Sequence, residues 1–296
     1  MSAHIKFVRD DARYVTRLGA ACLGDASSLL GKLPDAQVNL IVTAPPCGLL
    51  RHSGYSQRKQ REWIDELAHI ARLAQRKLCT DGSLVLALRG GYQRDAPVRS
   101  LCQLRLPLRL CDELGFFLAE ESYWNNPSKR PGSSAWVTKH GTRAKDSVTT
   151  FWWFGKTKAP KANVPRAQDA ALSTLLSTPN VEASPLYARG CKGMGLRPQP
   201  TCFPSGLSEL FIKRLTQPGD LVVDIFGGSN VTGRAAEQLG RRWLSFEKNP
   251  QYVATSIFRF MPDRCSDADL RRTYTQAFDG DCVRVADCWM QHGLHR

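Results

Sequence analysis

Two short stretches of this chain hold residues whose types and spacing can do chemistry. The first is Asp224-Ile225-Phe226-Gly227-Gly228-Ser229-Asn230, which follows the apolar run Leu221-Val222-Val223. A helical pattern with Thr232 in its first turn then runs from Val231 to Leu239, and Gly240 stops it. A second apolar run, Trp243 to Phe246, ends in the acid Glu247. Strand, turn, helix and strand in succession put the glycine turn at the carboxyl end of a strand, where open α/β sheets bind ligands. Glu247, about 20 residues beyond the turn, is placed to accept hydrogen bonds from ribose hydroxyls. The turn lacks Gly-x-Gly-x-x-Gly spacing and is tipped by Asp224, so it disfavours a pyrophosphate and suits a cationic ligand. A nucleoside carrying a sulfonium and an ammonium, S-adenosylmethionine, meets both conditions. The bland alternative is an ordinary βαβ unit with a tight connection.

The second stretch is Thr43-Ala44-Pro45-Pro46-Cys47, which leaves the buried strand Val38–Thr43. Consecutive prolines remove backbone donors and fix φ, so the chain departs the sheet in a rigid extended loop able to hold a substrate. The elements that must position these loops read as follows. A short helix, Ala26 to Leu33, follows Asp25. An amphipathic helix runs from Glu62 to Leu78, with Trp63, Leu67, Ile70, Ala71, Ala74 and Leu78 on one stripe, and Asp81-Gly82 ends it. Strands follow at Ser83–Leu88, Phe116–Tyr123 and Val148–Phe154, the last two expected to pair. The helix Arg99 to Leu114 is interrupted at Pro107, and a further helix covers Leu207 to Thr216. Asn249 caps a helix with Pro250 in its first turn. Strands alternating with helices predict an α/β fold, a mostly parallel sheet covered on both faces.

Composition bounds the rest. The 296 residues make one large domain or two small ones, long enough for a sizeable core, and no apolar run approaches the length of a membrane span. The N-terminus has no apolar core of a signal peptide. Ten cysteines lack Cys-x-x-Cys spacing, so they read as reduced thiols of a cytoplasmic protein rather than as metal ligands. A net charge of +14 points to a polyanionic partner. The segment 127–166 concentrates that charge: nine Lys and Arg stand against Asp146 as the one acid, with Trp136, Trp152 and Trp153 interleaved. Basic side chains contact phosphates and aromatic faces stack on bases, which points to nucleic acid. From 158 to 204 the chain is loop-rich, and 263–296 carries no assignable role.

The stretches VNLIVTAPP, YWNNPSKRPGSSAW, KDSVTTFWWFGKTKAPKAN and DIFGGSNVTGRAAEQLGRRW together resemble the DNA amino-methyltransferases of the permuted (β) class, in the branch associated with cytosine N4 methylation. The resemblance spans about residues 20 to 260. It implies a Rossmann-like methyltransferase fold in circularly permuted motif order, with S-adenosylmethionine as cofactor and duplex DNA as partner. It also implies a restriction–modification setting with a cognate endonuclease, and work at the nucleoid. By position, Asp224, Phe226, Gly227, Gly228, Ser229, Asn230 and Thr232 surround the methionine end of the cofactor, and Glu247 takes the ribose. Asp25 lies near the adenine, and Phe203-Pro204 closes over the methionine. Thr43 to Cys47 holds the target base. Asn126, Lys129 and Arg130, then Trp136, Lys139, Arg143, Lys145, Lys156 and Lys158, line the DNA side. One domain, 1–296, then contains an inserted target-recognition region, 127–205, and a C-terminal extension, 263–296.

The chain departs from the family in the catalytic loop. Ala44 stands where Ser or Asp is usual, and Cys47 where Tyr or Phe is usual. Backbone carbonyls around Ala44 and Pro45 remain as acceptors for the target amine, and Trp124, Trp152 or Tyr55 are candidates for the missing stacking face. Three alternatives follow: an enzyme that methylates adenine N6 or RNA, a catalytically weak DNA-binding relative that still holds the cofactor, and a cysteine nucleophile at Cys47.

Overall fold

Apolar runs of β-branched residues become the centre of one large sheet. The computed structural model describes residues 4–46, 57–91, 97–127, 137, 139–142, 144, 147–163, 173–180, 184–199 and 203–285. In chain order the strands are β1 (Ala12–Val15), β2 (Gly19–Leu23), β3 (Val38–Thr43), β4 (Leu78–Leu88), β5 (Phe117–Asn125), β6 (Val148–Gly155), β7 (Leu175–Ser177), β8 (Leu221–Asp224), β9 (Arg242–Glu247) and β10 (Val283–Arg284). They lie in the order β10-β1-β2-β9-β8-β3-β4-β6-β5-β7. The five strands β2, β9, β8, β3 and β4 are mutually parallel, so their carboxyl ends share one edge. β6 is antiparallel to both β4 and β5, the pairing with β5 expected from sequence.

The helices are α1 (Ala26–Lys32), α2 (Gln57–Lys77), α3 (Cys102–Asp112), α4 (Pro185–Gly193), α5 (Ser205–Leu215), α6 (Val231–Gln238), α7 (Pro250–Ser256) and α8 (Asp267–Asp279). From Leu40 to Val42 successive residues of β3 serve opposite faces. Val38 and Ile41 belong to one core with Leu29 of α1, Leu67 of α2 and Leu106 of α3. Leu40 and Val42 belong to the other with Tyr187 of α4, Phe211 of α5, Ala235 of α6 and Val253 of α7. A sheet buried on both faces explains why its strands read as continuous apolar runs. Among the described residues no disulfide forms, Cys22, Cys102 and Cys265 are buried, and no helix is long and apolar enough to cross a membrane.

Several expectations are corrected. Asp81-Gly82 does not end α2. The helix stops at Lys77, and the pair sits inside β4, where the register slips between Val38–Leu78 and Leu40–Ser83. Asp-Gly suits a bulge as well as a helix stop. Pro107 does not interrupt α3, because Leu106 and Leu110 on either side are buried and hold it despite the missing hydrogen bond. The loop-rich segment contains α4, and the unassigned C-terminal stretch contains α8 and β10.

Candidate active site at the carboxyl edge of the sheet

The loops leaving β3 and β8 meet because these strands are neighbours. Asp224, 5% exposed at the tip of β8, ties them together. The Thr43 hydroxyl donates to its Oδ1 at 2.7 Å, and the Phe226 amide donates to the same oxygen at 3.1 Å. Thr43 is therefore committed to Asp224, although the sequence placed it with the target base. Ala44 faces the cleft beside Asp224, Phe226 and Phe203. The Pro46 carbonyl accepts from the Trp63 indole of α2 at 3.3 Å, which turns it towards the core. Cys47 and Tyr55 lie outside the described residues.

The glycine turn is braced from β9. The Gly227 amide donates to the Phe246 carbonyl at 2.8 Å, and the Gly228 amide to Glu247 Oε2 at 3.0 Å. The other oxygen of Glu247 accepts from the Asn249 amide at 2.8 Å, so one carboxylate fixes two loops. Gly228 has φ of +53°, and a Cβ there would run into the Gln199 carboxamide. Both facts require glycine. Ser229 and Thr232 line the cleft. Arg259 donates from Nη2 to Ser229 Oγ at 3.1 Å and from Nε to its carbonyl at 2.6 Å, while its guanidinium lies 4.1 Å from the centre of the Tyr187 ring. Phe203 forms one wall, edge-on to Phe151 at 5.3 Å, and the buried Pro204 opens α5.

Two expected cofactor residues are otherwise engaged. Asn230 turns its side chain away from the cleft. Its Oδ1 caps α6 by accepting from the Gly233 amide at 3.1 Å, and its Nδ2 donates to the Tyr14 hydroxyl at 2.8 Å. Its backbone is left-handed, φ 57° and ψ 43°, a conformation Asn adopts more readily than most non-glycine residues. The exposed Asp25 caps α1, accepting from the Ser27 and Ser28 amides at 3.0 Å each, and the serine hydroxyls first, then these amides, hold its pKa down to about 2. It still sits beside Glu247, since the Gly24 amide donates to the Glu247 carbonyl at 3.0 Å.

Electrostatically the centre is Asp224. Burial, with a smaller push from the Glu247 charge, raises its pKa to about 6 against the pull of Thr43, Thr232 and the Phe226 amide. All three donors are uncharged, so a buried carboxylate looks onto a cleft lined by glycine, serine and aromatic groups. A cation with a hydroxyl-bearing ribose fits that donor and acceptor set, and the glycine cradle leaves it room.

The DNA-side expectations divide by edge. β5 ends at the carboxyl edge and β6 starts there, so the connection 126–147 leaves and returns beside the cleft. It contains Asn126, whose Oδ1 accepts from the Asn180 amide at 3.2 Å, and the exposed Lys139. Lys129, Arg130, Trp136, Arg143 and Lys145 lie outside the described residues. Lys156 and Lys158 lie elsewhere. β6 carries the chain about 26 Å, at roughly 3.3 Å per residue, to the opposite edge. There Lys156 Nζ donates to the Leu78 carbonyl at 2.6 Å, and Lys158 sits 5.8 Å from the Phe117 ring centre. Trp124 and Trp152 are core residues, 1% and 7% exposed, and offer no stacking face. Sequence reasoning missed Gln199, Tyr187 and Arg259. The one available signal was Gln199 between two prolines, a rigid stretch in a segment otherwise without pattern.

Comparison with known proteins agrees with this geometry. The DNA methylase family matches residues 38–258. The type II methyltransferase M.PvuII of Proteus hauseri is 38% identical over 91% of this chain and 92% of its own. The solved PvuII DNA methyltransferase, described as cytosine-N4-specific, superposes with a TM-score of 0.88 at 41% identity, covering 93% of this chain and 98% of that one. A methylase of Thermus thermophilus solved with S-adenosyl-L-methionine superposes at 0.60 with 21% identity, over 92% of this chain and 99% of its own, which shows the fold.

Proposed function

The chain belongs to the DNA methylase family, and from that premise we propose that it transfers a methyl group from S-adenosylmethionine to the exocyclic N4 of cytosine in a specific duplex sequence. The observation that carries this reading is the Thr43–Asp224 hydrogen bond, which fastens the Pro-Pro loop to the cofactor turn and makes one cleft of both. The catalytic loop precedes the cofactor turn in the chain, the order of the permuted (β) class. A restriction–modification system with a cognate endonuclease, at the nucleoid, is the setting that goes with this enzyme.

When bound, S-adenosylmethionine supplies an electrophilic methyl group on a sulfonium. The chain's own residues do the rest. Asp224 compensates positive charge at the methionine end, while Gly227 and Gly228 let the backbone approach closely. Glu247 keeps lone pairs for ribose hydroxyls beyond those the turn uses. Phe203 packs over the methionine portion. On the other side, carbonyl oxygens at Ala44 and Pro45 accept the amine hydrogens, so that the nitrogen lone pair points into the cleft. Exocyclic amines are weak nucleophiles, their lone pair being conjugated with the ring, and alignment is the main contribution a protein can make. Transfer would leave S-adenosylhomocysteine, and the methylated nitrogen then loses one proton to solvent, the loop carbonyls only holding its hydrogen bonds until it does. The base must leave the duplex to enter the cleft. The connection 126–147, with Lys139 and the basic residues around it, holds the phosphates on that side, and the region 127–205 reads the sequence.

The test is transfer of labelled methyl groups to duplex DNA, followed by mass spectrometry of the digested nucleosides. N4-methylcytosine is expected. Label in adenine would replace the target base, and no label in any sequence context would remove the proposal.

A further inference from the structure

The amino-acid end of S-adenosylmethionine carries an ammonium and a carboxylate, and the two need opposite partners. Asp224 is the one acid among the described residues that line the cleft, and it suits the ammonium. Gln199 lines the same cleft, half-buried, beside Ser229 and Thr232. Its carboxamide packs against the bare Cα of Gly228, in the space a Cβ would take. Among the described residues Gln199 makes one hydrogen bond, and its backbone makes it: the amide donates to the Tyr187 hydroxyl at 3.0 Å. The carboxamide N–H groups are thus left for a ligand. Tyr187 is fully buried on α4, and its ring carries the Arg259 guanidinium at 4.1 Å. Arg259 in turn donates to the carbonyl and the hydroxyl of Ser229. One buried tyrosine therefore fixes both Gln199 and a cation against the Gly228-Ser229 turn. The first turn of α6 borders the cleft at Val231 and Thr232, and a helix N-terminus favours negative charge.

Taking S-adenosylmethionine as the cofactor, as proposed above, we infer that the Gln199 carboxamide donates a hydrogen bond to its carboxylate, and that Tyr187 is the residue positioning Gln199. Three features select an anion here: the carboxamide N–H, the Arg259 charge held at Ser229, and the start of α6. Asp224 repels a carboxylate and attracts the ammonium, so the cleft tells the two ends of the amino acid apart. A cofactor gripped at both ends has its sulfonium held in one orientation, the alignment that methyl transfer requires. A glutamine that only filled space beside Gly228 would respond to the size of a ligand and not to its charge.

The test is calorimetric titration of the full chain, without DNA, with S-adenosylmethionine and with its decarboxylated form, which keeps the sulfonium, the ammonium and the ribose. Gln199→Leu should weaken S-adenosylmethionine about tenfold, the worth of one hydrogen bond to a charged group, and leave the decarboxylated form unchanged. Gln199→Glu keeps the size of the side chain and sets a like charge against the carboxylate. It should weaken S-adenosylmethionine more than Gln199→Leu does, and should not weaken the decarboxylated form. Tyr187→Phe keeps the ring under Arg259 and removes the hydroxyl, so it should cost about threefold, again only for the ligand with a carboxylate. Equal losses for both ligands in Gln199→Leu, or no loss for either, overturn the role of Gln199 while the cofactor reading stands. Equal losses for both ligands in Tyr187→Phe overturn the positioning role of the tyrosine. A native chain that binds neither ligand overturns the methyltransferase reading itself.

Discussion

The carboxyl of Asp224 is buried among uncharged donors, and its pKa of about 6 lies well above the ordinary 3.8. A group whose folded pKa is raised stabilises the fold most below its unfolded value, and that contribution is lost as pH rises through 6. The charged form, however, is the one that attracts a sulfonium and an ammonium. Cofactor affinity should therefore rise between pH 5 and pH 7 and level off above. Thermal stability of the free protein should receive the opposite contribution from this group across the same window. Calorimetry at stepped pH checks the first trend, and Asp224→Asn should both weaken binding and flatten it; a pH-independent affinity in the native chain would remove Asp224 from the role. Ala44 poses the complementary question. The usual side-chain acceptor is missing, Thr43 is committed to Asp224 and the Pro46 carbonyl to Trp63. Ala44→Ser should raise kcat by about fivefold to tenfold, the value of one restored hydrogen bond, with cofactor affinity unchanged. A fall in kcat would mean that the loop carbonyls are already the optimal acceptors.

The turn between β8 and α6 shows how an element can hide its own logic. Asn230 was legible as part of a cofactor motif, but its side chain caps a helix and anchors Tyr14, while its left-handed backbone explains the residue choice. Asn230→Ala loses the cap and keeps the unfavourable φ, an expected cost of about 2 to 3 kcal/mol. Asn230→Gly loses the cap but relaxes the backbone, and should cost less than about 1 kcal/mol. Denaturant midpoints at constant slope compare the two; equal losses would show that the backbone conformation is not what selects Asn. Strong apolar runs such as β3, and the Asn249-Pro250 start of α7, were legible because local chemistry alone dictates them. β2 was not, since Gly19-Ala20-Ala21-Cys22-Leu23 carries small side chains that become a strand only by pairing with β9. α4 was hidden by Gly190, a poor helix residue that is needed because a Cβ there would meet the Phe258 ring. In each case the missing information is a tertiary partner far away in sequence.

At the scale of the molecule, charge and topology must be read together. The +14 net charge and the basic stretch from Lys129 to Arg166 suggest one continuous DNA-binding surface. The sheet splits it, because β6 passes through the middle and runs antiparallel to β4. The connection into β6 leaves β5 and enters β6 at the edge that holds the cleft, whereas Lys156 and Lys158 emerge at the far edge, where Lys156 holds the Leu78 carbonyl. A duplex engaged over the cleft is expected to meet Lys139 and to miss Lys156 and Lys158. Removing one cation that neutralises a phosphate should reduce the slope of log affinity against log salt by about 0.9. Lys139→Gln should show that reduction in fluorescence anisotropy with a cognate duplex. Lys156→Gln and Lys158→Gln should leave the slope unchanged, and Lys156→Gln should instead lower thermal stability by removing a bond to the start of β4. A reduced salt slope in Lys156→Gln would mean that DNA wraps past the sheet to its far edge, and the carboxyl edge would no longer suffice as the whole interface.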